Sequence, residues 1–428
     1  MSSKPLTAII VGAGHRSLFC AAYALKEPDR LKIVGVADPN PVRREKAAQM
    51  FNISEDMCFE TADQLATHPK LADCIINGTM DHQHLETSLP LLERGYDMLL
   101  EKPFTINEQE MWQIVDTVKK HHNKVMICHV LRYAPFYADI RQKIIDGEIG
   151  DIINIQATEH VSYHHMAIGY IRGKWANSKK CHSGMLLAKC SHDMDIIMWM
   201  KSGIPPVSVS SFGSNFYFNP GKCPENAGTR CLVDCPIEDT CNYSAKKHYI
   251  DHPDRWSFYV WDSLEHIDNP TLEQKIESLK TDNPYGRCVW KCDNDVVDHQ
   301  SVAINFADGC TATLNMVGGC AKPERTIHII GTKGEIFGNM SEEQFKIYRI
   351  DPRPGCEYSE EVISTKREGT TDGHGGGDMR LVHDFVDYIQ GKTPSISCTT
   401  LEDSISGHFA VFRAEQSRET GITEFLNV

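Results

Sequence analysis

The run Ala8-Ile-Ile-Val-Gly-Ala-Gly-His-Arg-Ser17 decides the fold. Its unbroken apolar residues describe a strand buried on both faces, and the glycines after them describe a tight turn into a helix. A second apolar run, Val-Gly-Val-Ala-Asp, ends on Asp38. Strand, glycine turn, helix, strand and acid in that order form a dinucleotide-binding signature. Gly12 permits the turn, Gly14 lets the backbone approach a pyrophosphate, and the helix start offers its amides to the phosphates. A carboxylate at Asp38 can accept from the adenosine ribose hydroxyls and repels a 2′-phosphate, so NAD is expected over NADP. The alternative for Asp38 is a cap on the helix that Pro41 begins. His15 and Arg16, at the first helix start, complete the expected cofactor contacts of this turn, and Arg43 and Arg44 keep NADP as the second choice. Ser17 stands where a third glycine or an alanine is usual, so helix and strand must pack around a larger side chain.

Outward from this turn, Ala8–Val11, Ile33–Ala37, Cys74–Asn77, Met98–Leu100 and Val125–Cys128 read as buried strands alternating with helices such as Glu108–Lys120. Residues 1–130 therefore predict an α/β domain with a doubly wound parallel sheet. From 131 to 428 the pattern changes to longer strands at Ile152–Glu159, Val207–Phe212, Val302–Phe306, Thr311–Met316, Thr326–Ile330 and Glu335–Gly338. With one long helix at Met185–Met200 and helices at Asp378–Gln390 and Leu401–Arg418, this predicts an α+β domain on an open sheet. The last residues are expected to return to the first domain. The stretch from about 215 to 297, rich in Cys, Pro, Asp and Asn, reads as an insertion.

A chain of 428 residues is long for one core, which fits two domains. A net charge of −14 with no basic run argues against nucleic acid or an anionic membrane surface as partner and leaves a small molecule. No apolar stretch reaches the length of a membrane span, and His15 and Arg16 interrupt the apolar N-terminal run, so a cytoplasmic protein is expected. Most of the sixteen cysteines then serve as small reduced hydrophobes. Cys223, Cys231, Cys235 and Cys241 stand apart, spaced Cys-x7-Cys-x3-Cys-x5-Cys in a Pro-rich loop. Four thiolates so close predict a structural metal, zinc ahead of iron-sulfur, with free or paired thiols as the alternative.

Glu101-Lys102-Pro103 follows a strand at the C-terminal edge of the first sheet, where doubly wound folds bind ligands. Pro103 holds Lys102 out of a helix, so Lys102 is presented beside the nicotinamide, where it can bind a substrate hydroxyl and, if desolvated, take its proton. A solvated lysine after a strand is the plain alternative. Glu101 and Lys102 also join the expected cofactor contacts.

Gly12-Ala13-Gly14, Glu101-Lys102-Pro103 and Ser191-His192-Asp193-Met194-Asp195 together resemble the Gfo/Idh/MocA superfamily of NAD(P)-dependent sugar and cyclitol oxidoreductases over nearly the whole chain outside the Cys-rich insertion. The resemblance implies a Rossmann domain plus an open mixed sheet, assembly into homodimers or homotetramers through that sheet, Lys102 as catalytic lysine and His192 as catalytic histidine. Many members carry an aspartate four residues before the histidine. This chain has Ala188 there, with Lys189 beside it.

Lys189, His192, Asp195, Ile196 and Trp199 share one helical face. His192 can shuttle the hydroxyl proton, with Asp195 to orient it, although a lone histidine on an apolar helix is otherwise a core residue. Segments 160–165 and 170–175 combine imidazole, guanidinium and indole groups, and His165, Arg172 and Trp175, with Lys189 and Asp195, are the expected substrate contacts. A metal held by His164, His165 and His192 is a lesser reading.

The leading expectation is an NAD-dependent dehydrogenase of a sugar, glycoside or cyclitol. The runner-up is a redox-neutral glycosidase that oxidises C3 transiently, eliminates the aglycone and restores the alcohol. A cofactor-binding sensor without turnover is the remote third.

Overall fold

The computed structural model describes residues 4–367 and 374–426. Six strands, β1 (Leu6–Val11), β2 (Leu31–Ala37), β3 (Cys58–Phe59), β4 (Cys74–Asn77), β5 (Asp97–Leu100) and β6 (Val125–Ile127), form a parallel sheet in the order β3-β2-β1-β4-β5-β6. The unbroken apolar character of β1 has a direct cause. Ile9 and Val11 enter one hydrophobic core while Ala8 and Ile10 enter another on the opposite face. Because β1 lies between β2 and β4, the chain reverses its direction of travel across the sheet there, and a crevice opens at the carboxyl ends of these strands.

The second sheet has nine strands: β7 (Ile152–Ser162), β8 (Pro206–Ser214), β9 (His299–Phe306), β10 (Thr311–Cys320), β11 (Glu324–Gly331), β12 (Gly334–Asn339), β13 (Gln344–Ile350), β14 (Tyr358–Ser364) and β15 (Glu424–Phe425). Their order is β14-β13-β12-β11-β7-β10-β9-β8-β15, with β7 and β10 parallel and the other neighbours antiparallel, so the sheet is mixed. The last three strands in the chain are absent from the sequence reading. β14 is exposed along nearly its whole length and shows no apolar alternation, and β15 has two residues. The C-terminus also corrects an expectation, since Glu424–Phe425 pairs with β8 of the second sheet. The element that returns to the first domain is the helix Gly377–Ile389, which buries Leu381, Val382, Phe385 and Val386 against Ala8, Ile10 and Leu31. Among the described residues no helix is long and apolar enough to cross a membrane.

The expected single helix over Met185–Met200 is two helices, Met185–Ala188 and Ser191–Met200, broken at Lys189 and Cys190. Residues 215–297, read from the sequence as an insertion, run between β8 and β9 and are built largely of turns and short helices around a small core of Cys231, Ala245, Tyr249, Val260, Leu279 and Tyr285. Its base is pinned by Asp298, whose carboxylate accepts the amides of Phe216, Tyr217 and Phe218.

Candidate active site

Where β1 ends, Gly12 takes φ +75 and its amide donates to Ala37 O, which bends the chain across the sheet edge. Ser17 fits because Gly78 faces it. Ser17 Oγ donates to Gly12 O at 2.6 Å, and a Cβ on Gly78 would meet that hydroxyl oxygen at 2.1 Å. The alternative role for Asp38 does not hold, since the cap of the next helix is Asn40, which accepts from Val42 N and Arg43 N. Asp38 Oδ2 accepts from Ala13 N at 2.7 Å and Oδ1 from Asn40 N at 2.8 Å, which fixes the carboxylate behind the glycine turn with lone pairs to spare. Gly12, Gly14, His15, Arg16, Asp38 and Lys102 all line one cleft of about 440 Å³. Arg16 is braced by Glu101 at 2.9 Å and Asp378 at 2.6 Å. Gly12→Ala would force a left-handed alanine, costing roughly 1–2 kcal/mol, with its Cβ 2.8 Å from Thr79 Cγ2 and 2.9 Å from Thr79 N. A lower melting temperature and at least about tenfold weaker NADH binding are the expected results of calorimetric titration and thermal unfolding of this variant.

Lys102 is half-buried, and its Nζ donates to Ala188 O at 2.6 Å. In an unbroken helix that carbonyl would accept the amide of His192. The helix break thus coincides with a backbone oxygen turned to the lysine. Desolvation pushes the Lys102 ammonium down to about 8, against the pull of Asp81 and Glu101. Asp81 is itself anchored, accepting from Trp175 Nε1 at 3.1 Å. His192 begins the first turn of the second helix, with its ring 5.9 Å from that of His129 and 6.4 Å from that of His374. Burial, helped by the Lys102 and His129 charges, holds its pKa well below the ordinary value, so at neutral pH the imidazole is neutral, and its Nδ1 has no partner among the described residues. Lys102 lines the dinucleotide cleft, whereas the His192 side chain lines neither this cleft nor the second cavity, on the sheet side, and feels Lys102 only as a nearby charge.

A second cavity of about 410 Å³ opens on the sheet side, walled by Glu159, His165, Lys189, Trp256, Arg325 and His374. His165 stacks on Trp256 of the insertion, with centroids 4.3 Å apart. Arg325 bridges Glu159 at 2.5 Å and Asp193 at 2.9 Å, and Lys189 reaches Glu159 at 3.3 Å. Of the expected substrate contacts, His165 and Lys189 lie here, and Trp175 lines the dinucleotide cleft. Arg172 and Asp195 line neither cavity. The Arg172 guanidinium is consumed inside the insertion by Arg287 O, Tyr249 OH, Tyr243 O and Cys231 Sγ, a brace that nothing in its local sequence announces. Asp195 does not orient His192. Its two oxygens take Arg132 Nε at 2.8 Å and Nη2 at 2.6 Å, both side chains being buried. Sequence reasoning missed Asp81, Glu159, Arg325 and Trp256. Arg325 and Glu159 sit opposite each other on β11 and β7, a register invisible before the strands are paired.

The thiol expectation does not fit a metal. Among the described residues, no three of Cys223, Cys231, Cys235 and Cys241 bring their sulfurs within 4.8 Å of one another, and the one set that does so combines Cys20, Glu101 and Cys128. In that set Glu101 already holds Arg16, and burial pushes the Cys128 thiol up, so it stays protonated. His164 does not join His165 in the wall of the second cavity, and no group combining His164, His165 and His192 has metal-ligand spacing.

Residues 6–129 match the family model described as an oxidoreductase family with an NAD-binding Rossmann fold, and residues 141–419 match that of its C-terminal alpha/beta domain. The chain is 26% identical over 409 residues to the putative oxidoreductase YteT of Bacillus subtilis, covering 92% of this chain and 90% of that protein. It is 27% identical over 207 residues to scyllo-inositol 2-dehydrogenase (NAD(+)) of the same organism, covering 48% of this chain and 56% of that one. Among solved structures, levoglucosan dehydrogenase in complex with NADH and levoglucosan superposes with a TM-score of 0.70 at 16% identity over 99% of this chain and all of that one. With both domain models matched in order across a Rossmann sheet and a mixed sheet, this chain is a member of the Gfo/Idh/MocA family of NAD-binding oxidoreductases.

Proposed function

We propose that the protein is an NAD-dependent dehydrogenase of a secondary ring hydroxyl in a sugar, glycoside or cyclitol. The carrying observation is Lys102, desolvated on the wall of the dinucleotide cleft and tied through Ala188 O to the helix break just before His192. A bound nicotinamide supplies the hydride acceptor. Lys102 in its neutral form accepts the hydroxyl proton as the carbon gives up hydride, and the neutral His192 relays or receives it. The cavity walled by His165, Trp256, Lys189 and Arg325 combines aromatic faces with several donors and acceptors, which suits a polyhydroxylated ring. The inositol and levoglucosan dehydrogenases among its relatives and neighbours act in the same chemical class.

The second reading, the redox-neutral glycosidase, draws support from one feature. The insertion's Tyr259 closes one side of the dinucleotide cleft, which favours a cofactor that is kept between turnovers. Incubation with NAD and a panel of cyclitols, sugars and glycosides separates the two. Accumulating NADH supports the dehydrogenase, and aglycone release without net NADH supports the glycosidase. Neither product with any compound of the panel argues against both.

The pH profile is a sharper expectation. Oxidation needs neutral Lys102, so activity rises with pH and levels off above a break near 8. Because His192 is held neutral, no second break appears near the usual histidine pKa of about 6.5. A break near 6.5 alone in the pH dependence of kcat/KM would assign the base to a histidine. We also propose a homo-oligomer that forms through the solvent face of the second sheet, where Val317 and Phe337 stand exposed; light scattering should give a multimeric mass that Phe337→Glu reduces, and a monomeric wild type would overturn it.

A further inference from the structure

The strap of the insertion from Trp256 to Glu265 crosses the adenosine side of the dinucleotide cleft. Phe258 and Tyr259 pack their rings on His15, with centroids 4.7 and 5.7 Å away, and Tyr259 forms part of the cleft wall. Asp262 reaches Lys174 at 2.8 Å and His15 at 3.5 Å. Beyond it, Glu265 spans to the first domain. Its carboxylate takes Arg43 Nε at 2.8 Å, Arg43 Nη2 at 3.2 Å and Asn40 Nδ2 at 2.6 Å, and its carbonyl accepts from Lys46 Nζ at 3.1 Å. Arg43 and Asn40 line the cleft next to Asp38. Arg44, the other cation of this turn, is spent on Asp38 O at 2.6 Å.

A 2′-phosphate on the adenosine ribose needs a guanidinium that is free to pair with it. Arg43 lines the cleft beside Asp38 and is bidentately occupied by the Glu265 carboxylate from a different part of the chain, with Asp262 Oδ2 a more distant second partner 3.8 Å from its Nη2. We propose that Glu265 of the insertion is a specificity determinant for the cofactor. By holding Arg43 it withdraws a cation that lines the cleft beside Asp38 and would recognise a 2′-phosphate, and it adds a negative charge beside that guanidinium. Asp38 attracts the ribose diol and Glu265 rejects its phosphorylated form, so NAD selectivity is shared between the Rossmann domain and the insertion. Glu265 is a positioning residue that acts through Arg43.

The inference rests on the reading of this cleft as a dinucleotide site, and the two are separable. NADH and NADPH binding are measured by nicotinamide fluorescence on the full chain, for the wild type, Glu265→Gln, Glu265→Ala and Glu265→Ala with Arg43→Ala. The expected result is a gain of at least tenfold in the NADPH-to-NADH affinity ratio for Glu265→Ala, a similar or smaller gain for Glu265→Gln, and loss of the gain when Arg43 is also removed. Increasing salt should erode the gained NADPH affinity, because it depends on an Arg43–phosphate pair. A wild type that binds neither nucleotide overturns the cofactor reading and the inference with it. Tight NADH binding with an unchanged ratio in both Glu265 variants overturns the inference alone. A gain that survives removal of Arg43 also overturns it, since the determinant would then not act through that guanidinium.

Discussion

Lys102→Met should lower kcat for substrate oxidation by about 10²–10⁴-fold while leaving NADH binding within a few-fold of the wild type. Methionine keeps the apolar stem and removes the ammonium, so what is lost is the proton acceptor and the bond to Ala188 O. The fold should tolerate the change. A hydrogen bond of this kind contributes about 1 kcal/mol net, and burial already disfavours the Lys102 charge, so removing it relieves a cost of similar size. The same variant should lose the rise in activity that runs through pH 8 in the wild type, because no other group on the cleft wall is shifted into that range. Stopped-flow turnover and a pH profile of the variant provide the check. A kcat within threefold of the wild type, with the break still near 8, would remove Lys102 from the chemistry and leave it a domain tether.

Asp195→Ala should lower stability by about 3–5 kcal/mol, because it strands the buried Arg132 guanidinium without its counterion. Among the described residues Arg132 then retains the carbonyls of Cys398 at 3.2 Å and Asp403 at 3.5 Å and the face of Trp199 at 5.5 Å. Asp195→Asn preserves shape and one acceptor and should lose less. Urea unfolding measures the loss, and steady-state kinetics separates the two roles this aspartate can have. Unchanged KM in the folded protein with a large loss of stability fits the Arg132 clamp. A KM raised more than tenfold with stability intact would return Asp195 to the substrate.

The first domain was legible because its signals are local. Two-sided burial of β1 writes itself as consecutive apolar residues, and the turn into the helix needs a glycine at φ +75, so strand, turn and acid can be read in one pass. Two of the cavity-facing residues of segments 160–165 and 170–175, His165 and Trp175, were legible from residue type alone. Arg172 came from the same kind of reading and lies elsewhere, because an arginine beside an aromatic residue serves a brace as readily as a ligand. The thiol loop shows the same limit. Its spacing promised a common centre that the fold of the insertion does not build.

The sequence by itself determined the dinucleotide turn, the acid after the second strand, the lysine held in place by Pro103 and the family to which the chain belongs. Each depends on neighbours within a few residues, where backbone sterics and hydrogen bonding act directly. Only the tertiary structure decided that Ala188 O turns to Lys102, that Arg325 and Glu159 face each other across β11 and β7, that Asp195 clamps Arg132, and that Glu265 reaches Arg43. These pairings join residues far apart in the chain. Their partners are chosen by strand register, a helix break and the path of an insertion, all set by how apolar faces pack together and none written into the residues near the charge.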